Sequence, residues 1–166
     1  MDLPKRKPNR LPDFDYSTPG AYFITICTKN HTCLFWKGVG ASIARPQTPI
    51  LSPYGVIVDR TIRQIPVHYP SISVDHYAIM PNHIHLLLQI NTDADGRAML
   101  APTISTVVQQ LKGIVTKQIG QTVWQKLFHD HVIRSEADYS KIWQYIDSNP
   151  AKWQEDCFYI SSAGLE

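Results

Sequence analysis

Two histidines separated by a single residue, His83 and His85, are well suited to metal chemistry. They open the apolar run 83–90, which predicts a β-strand. Residues i and i+2 of a strand point to the same face, so both imidazoles project together and Ile84 faces the other way. Two adjacent neutral imidazoles can bind one divalent cation. The alternative is a pair of hydrogen-bonded histidines on a half-buried sheet face.

A tyrosine and an asparagine lie four residues apart near the end of the chain. Tyr145 and Asn149 fall on one face of a predicted helix over residues 135–148, one turn apart. A tyrosine can act as a nucleophile, and an asparagine oxygen can ligate a metal. The alternative is a packing tyrosine followed by an ordinary helix stop at Asn149-Pro150. Tyr139 is the competing tyrosine, on another face of the same helix.

Positive charge is concentrated in the first twenty residues, which are polar and interrupted by four prolines. We interpret residues 1–20 as a basic N-terminal arm and residues 21–166 as a single domain. The arm is either a solvated tail or a contact for nucleic-acid phosphates. Its basic residues are Lys5, Arg6, Lys7 and Arg10. Lys112, on the polar side of a later helix, is a further basic candidate.

The elements that must position these residues follow a recognisable order. Strands are predicted over 21–28, 73–80, 83–90 and 124–134, with the turn Pro81-Asn82 between the middle two. One helix starts at Ser52-Pro53, a second is capped by Thr103 and ended by Gly120, and a third covers 135–148. This order predicts an α+β, ferredoxin-like (split βαβ) fold. Its antiparallel sheet carries helices on one face, plus a C-terminal tyrosine-bearing helix.

Composition narrows the class of protein. With 166 residues, 43% hydrophobic and 18% charged, the chain is typical of one globular domain. A net charge of +2 neither favours nor excludes nucleic acid. Three cysteines without metal-type spacing disfavour a secreted disulfide framework, and no apolar run approaches a membrane span. The first residues lack the apolar core of a signal peptide, so we expect a cytoplasmic protein.

Two segments resemble one enzyme family. Residues 77–87, Tyr-Ala-Ile-Met-Pro-Asn-His-Ile-His-Leu-Leu, resemble the metal-binding strand of the HUH single-tyrosine transposases. Residues 145–153, Tyr-Ile-Asp-Ser-Asn-Pro-Ala-Lys-Trp, resemble the tyrosine helix of their REP-associated branch. The arm with the first strand, Leu111-Lys112, and residues 124–131 resemble the same family in the same order. The resemblance therefore spans nearly the whole chain.

The resemblance implies an enzyme that cuts and joins single-stranded DNA beside a small hairpin. Tyr145 would become linked to a 5′ phosphate, and the metal ligands would be His83, His85 and Asn149. The metal would be Mg²⁺ or Mn²⁺, and the arm and Lys112 would contact DNA. REP-associated members resemble monomers, although a dimer is possible by analogy with the neighbouring insertion-sequence branch. The protein would be bacterial and associated with the nucleoid when bound to DNA.

Two other functions fit parts of the sequence. A non-catalytic nucleic-acid-binding module of ferredoxin-like fold could stack bases on sheet aromatics such as Tyr22 or Tyr77. A small metallohydrolase could hold Zn²⁺ on His83 and His85 with an open position for water. His76, His129 or His131 could supply its third ligand.

Overall fold

The computed structural model describes residues 10–38, 49–98 and 100–159. Lys5, Arg6 and Lys7 lie outside the described residues. The strands are β1 (Gly20–Cys27), β2 (Ile72–Ile79), β3 (His83–Ile90) and β4 (His129–Val132). The helices are α1 (Pro53–Arg63), α2 (Ile65–His68), α3 (Ile104–Ile119) and α4 (Glu136–Ser148). Short 3-10 turns cover Lys29–His31 and Pro150–Glu155.

The four strands form one sheet in the order β2-β3-β1-β4, and every neighbouring pair is antiparallel. Together with α1 and α3 this gives the split βαβ arrangement, so the predicted fold class is confirmed. The strand expected over 124–134 is shorter than predicted. Trp124 forms only an isolated bridge to Thr28. The Lys112 ammonium donates hydrogen bonds to the carbonyls of Gln125 and Lys126. Regular pairing with β1 therefore starts again only at His129.

The two faces of the sheet bury different layers because side chains alternate along each strand. On one face, Ile84, Leu86 and Leu88 of β3 pack with α1 and α3 in the main core. On the other face, Leu87 packs with Ile142 and Ile146 of α4. His83 and His85 share the parity of Leu87, so they lie on the α4 face. Ile84 faces the opposite way, as the spacing predicts.

Local signals explain where the helices begin and end. The Ser52, Thr103 and Ser135 side chains accept hydrogen bonds from backbone N–H groups in the first turns of α1, α3 and α4. Gly120 ends α3 in the left-handed region with φ of 83°. These caps confirm the predicted boundaries. In the part of the chain that the structure describes, no helix has the length and apolarity needed to cross a bilayer.

An irregularity in β2 connects the sheet to α4. The pairing of β2 with β3 shifts between Val74 and His76, so Asp75 and His76 both contact α4. The Tyr139 hydroxyl donates to Asp75 at 2.8 Å, and the His76 ring stacks on Trp143 with centroids 4.5 Å apart. These contacts fix α4 across the face that carries the histidines.

Part of the predicted arm also belongs to the folded domain. Tyr16 is buried in the main core, and Phe14 packs against the same cluster. The Tyr22 hydroxyl donates to the Thr18 carbonyl at 2.6 Å. Residues 14–18 are therefore tied to β1.

Candidate active site

The two histidines lie at the start of β3, directly after the turn Pro81-Asn82. His83 is 0% exposed and His85 is 2% exposed. Their Nε2 atoms face each other at 3.1 Å. The pair is therefore preorganised and screened from bulk water.

Asn82 sets the tautomer of His83. Its side-chain nitrogen donates to the carbonyls of His31 (3.2 Å) and Phe158 (2.8 Å), which fixes the orientation of the amide. The amide oxygen therefore accepts from Nδ1 of His83 at 2.8 Å. Since Nδ1 carries the proton, Nε2 of neutral His83 presents a lone pair, as a metal ligand must.

Burial keeps both imidazoles neutral. Desolvation, with the nearby His31, lowers the pKa of His83 to about 3. Desolvation, with the neighbouring His83, likewise lowers the pKa of His85 to about 3. A charged imidazole loses hydration that the buried site does not replace. Both rings are thus neutral, which is the charge state in which an imidazole ligates a metal.

Asp156 joins the pair, although sequence reasoning did not identify it. One carboxylate oxygen, Oδ2, lies 3.6 Å from Nε2 of His83, and the side chain is 0% exposed. Ligand atoms of His83, His85 and Asp156 all lie within 4.8 Å of one another. Asp156 follows the last helix within a polar stretch, so its residue type and spacing give no signal of this contact.

Orphaned oxygens show that the site suits a cation. Oδ1 of Asp156 accepts from the Phe158 N–H at 2.8 Å, but Oδ2 has no hydrogen-bond partner among the described residues. Oδ1 of Asn149, at the end of α4, is likewise buried and unpartnered there. A buried carboxylate without a counter-charge is costly. Two neutral imidazoles and a carboxylate are a donor set that fits a divalent metal.

Tyr145 lies beside this group within the same chain. Its ring meets the His85 ring with centroids 5.3 Å apart and the Phe23 ring at 6.1 Å. The side chain is 42% exposed, so it borders both the buried histidines and solvent. Desolvation and the charge of Asp156 raise the pKa of the Tyr145 phenol, and Asn149 acts in the opposite direction.

Tyr139, the competing tyrosine, is placed differently. Its hydroxyl donates to Asp75 at 2.8 Å, and its ring packs near Trp143. Desolvation and the Asp75 carboxylate raise the pKa of Tyr139 to about 12. Tyr139 therefore contacts β2 and Trp143 and not the histidine pair.

The predicted basic contacts have structural partners of their own. The Arg10 guanidinium lies over the rings of Tyr16 (5.6 Å) and Phe128 (5.0 Å). Lys112 lies on α3, which packs on the sheet face opposite to the histidine pair. Its ammonium donates to the Gln125 and Lys126 carbonyls, and burial lowers its pKa. Lys112 therefore anchors the segment before β4, and its contact with DNA stays a prediction.

The residues required by the two alternatives lie elsewhere. Tyr22 is 1% exposed in the main core, and the Tyr77 hydroxyl donates to Asp59, so neither offers an open stacking surface. His76 and His131 contact Asp147 and Asp138. Over residues 10–38, 49–98 and 100–159, the group of potential metal ligands is His83, His85 and Asp156. The histidines considered as a third zinc ligand do not join it.

The chain is similar to several known proteins. No family model matches the chain. The chain is 31% identical over 174 residues to an uncharacterized protein of Haemophilus influenzae, with 93% of each chain covered. It is 26% identical over 146 residues to a second protein of that organism, described as a "Putative REP-associated tyrosine transposase", covering 83% of this chain and 74% of the relative.

A solved structure gives the same fold. It is a REP-associated tyrosine transposase bound to a REP hairpin, with a TM-score of 0.60 and 19% identity. The match covers 87% of this chain and 74% of that one. In sequence and in fold, the chain is therefore similar to REP-associated tyrosine transposases.

Proposed function

We propose that this protein is a metal-dependent endonuclease and strand transferase that acts on single-stranded DNA beside REP-type hairpins. The observation that carries the proposal is the placement of Tyr145 against His85, next to the buried His83 and Asp156. A hydroxyl nucleophile and a cation-ready group of ligands are the two parts that phosphodiester transfer requires. The relative bound to a REP hairpin supports the choice of substrate.

The reaction conserves the phosphodiester bond energy. The Tyr145 hydroxyl gives up its proton, and its oxygen attacks the phosphorus to form a 5′-phosphotyrosine bond. The bond from phosphorus to the 3′ oxygen breaks, and that oxygen takes up a proton to leave as a 3′-hydroxyl. Attack by another 3′-hydroxyl reverses the step and joins strands. No nucleotide cofactor is needed.

The chain's own residues prepare this step. His83, His85 and Asn149 are the ligands that the family motif indicates, and Asp156 is a further ligand candidate from the geometry. When bound, Mg²⁺ or Mn²⁺ supplies positive charge that polarises the scissile phosphate. Two imidazoles with oxygen ligands suit Mn²⁺ at least as well as Mg²⁺. A cation beside Asp156 would also offset the charge that raises the Tyr145 pKa.

One chain carries all these residues, which supports a monomeric enzyme. Tyr145 reaches His85 of its own chain, so exchange of α4 between two chains is not required. For hairpin phosphates we propose the basic arm as the contact surface: Lys5, Arg6, Lys7 and Arg10. Lys112 is proposed as a further DNA contact beyond its bond to the Gln125 carbonyl.

The test is formation of a covalent adduct. End-labelled single-stranded DNA that carries a REP-type hairpin is incubated with protein and Mg²⁺ or Mn²⁺, and then resolved on a denaturing gel. We expect a protein–DNA adduct with wild type, and none with Tyr145→Phe or His83→Ala. Tyr139→Phe is the matched control, because it removes the hydroxyl from the same helix away from the histidines.

Two results would refute the proposal. An adduct that persists in Tyr145→Phe would exclude Tyr145 as the nucleophile. Cleavage without an adduct, retained in Tyr145→Phe, would instead indicate hydrolysis by a metal-bound water.

A further inference from the structure

A buried threonine on β1 holds the second histidine. Thr25 pairs with His85 in the β1–β3 register, and its hydroxyl lies 2.9 Å from Nδ1 of His85. Thr25 is 6% exposed. Among the described residues, the Thr25 hydroxyl makes no other side-chain hydrogen bond. A hydroxyl in this position can serve either as a donor or as an acceptor.

The two histidines differ in how their protons are fixed. The oriented Asn82 amide keeps the proton of His83 on Nδ1, which leaves a lone pair on Nε2. That lone pair faces Nε2 of His85 at 3.1 Å. Without a cation, Nε2 of His85 must carry a proton, since two lone pairs at this distance would repel each other. Its Nδ1 is then an acceptor, and the Thr25 hydroxyl donates to it.

A cation reverses this arrangement. Both Nε2 atoms must then be free of protons, so the His85 proton must lie on Nδ1. The Thr25 hydroxyl can accept that proton's hydrogen bond, because a hydroxyl has both a donor and two acceptor sites. A backbone N–H or a backbone carbonyl in the same place would suit only one of the two states.

We propose that Thr25 is a positioning residue whose hydroxyl lets His85 exchange its proton between Nε2 and Nδ1 as a divalent cation enters. The inference rests on the proposed metal site at His83 and His85. Thr25 acts through His85 and does not itself touch the cation or the DNA. Its hydrogen bond is kept in both states, so the ring stays oriented while the proton moves.

The first measurement is Mn²⁺ affinity by electron paramagnetic resonance, using protein freed of metal by a chelator. Thr25→Val keeps the side-chain shape and removes the hydroxyl, so Nδ1–H of His85 loses its acceptor in the metal-bound state. We expect the Kd to rise about tenfold or more. Thr25→Ser restores the hydroxyl and most of the affinity. Thr61→Val is the matched control, because Thr61 is similarly buried and its hydroxyl donates to the Ile57 carbonyl within α1.

The second measurement is the nitrogen-15 spectrum of the histidine rings, with Mg²⁺ alone as the diamagnetic metal. We expect His85 protonated on Nε2 without metal and on Nδ1 with it. His83 should stay protonated on Nδ1 throughout. Wild-type protein that binds neither metal would overturn the metal site and this inference together. Normal metal binding by Thr25→Val, or one unchanged His85 tautomer, would overturn this inference alone.

Discussion

Replacing Asp156 with asparagine should move stability in opposite directions with and without metal. In the metal-free protein, Oδ2 is a buried anionic oxygen without a hydrogen-bond partner among the described residues. Asparagine keeps the acceptor for the Phe158 N–H and replaces the unpartnered anionic oxygen with a neutral amide group. Removing an unsatisfied buried group of this kind is worth about 1–3 kcal/mol. We therefore expect metal-free Asp156→Asn to unfold at a higher free energy than wild type.

The same change should weaken the response to metal. At a Mn²⁺ concentration of 100 times its Kd, a ligand adds about 2.7 kcal/mol of stability. Loss of a residue that hydrogen-bonds a metal ligand typically weakens metal affinity by about ten- to hundredfold. We expect loss of a ligand itself to weaken it by at least as much. At that same concentration the variant would gain only about 0.4–1.4 kcal/mol.

Thermal unfolding in chelator and in Mn²⁺ measures both effects, since 1 kcal/mol corresponds to about 2–4 °C for a chain of this size. Asp147→Asn is the matched control on α4, because the Asp147 side chain is 72% exposed. It should leave both transitions nearly unchanged. If metal-free Asp156→Asn melts below wild type and its Mn²⁺ response is unaltered, Asp156 is a structural residue and the reasoning fails.

Three other predictions concern helices α3 and α4 and the basic arm. Gly120→Ala should cost about 1 kcal/mol in urea unfolding, because φ is 83° there, whereas Gly113→Ala within α3 should gain about 0.5–1 kcal/mol since its Cβ meets open space. Equal signs for the two changes would contradict this account of backbone strain. Tyr139→Phe should lose about 1 kcal/mol by removing the bond to Asp75 and leave adduct formation intact. Glutamine in place of three of the arm's four basic residues, Lys5, Arg6 and Lys7, should weaken hairpin binding. The salt dependence of log K should also fall by about 0.7–0.9 for each phosphate that the arm no longer neutralises, and an unchanged slope would make the arm a mere tail.

The fold could be predicted because its signals are local. Alternation in residues 83–90 places Ile84 and His85 on opposite faces whatever lies on either side. The Thr103 and Gly120 caps bound α3 through contacts within one turn of each end. The start of the chain's last strand could not be predicted in this way. The backbone carbonyls just before β4 accept hydrogen bonds from the Lys112 side chain, which lies on another element, so local sequence does not indicate where pairing begins.

The candidate site could be predicted only in part. The His83 and His85 side chains share a face by strand geometry alone. The approach of Tyr145 to His85 depends on α4 covering that face, and family resemblance indicated it where spacing could not. Asp156 was missed because its place depends on the turn at Pro150–Glu155 and on contacts of Phe158 with Asn82. Neither residue type nor periodicity encodes such contacts.

The two layers on either side of the sheet differ in size, and this has a consequence for how the molecule opens. The main core joins α1 and α3 to the sheet through a large buried cluster, whereas α4 is held by a much smaller one. Regions with fewer buried apolar contacts undergo sub-global opening at lower free energy. Amide hydrogens of α4 should therefore exchange with solvent before those of β3, without unfolding of the main core. The histidines would then lie in the slower-exchanging of the two layers, and the tyrosine in a layer that opens separately from them.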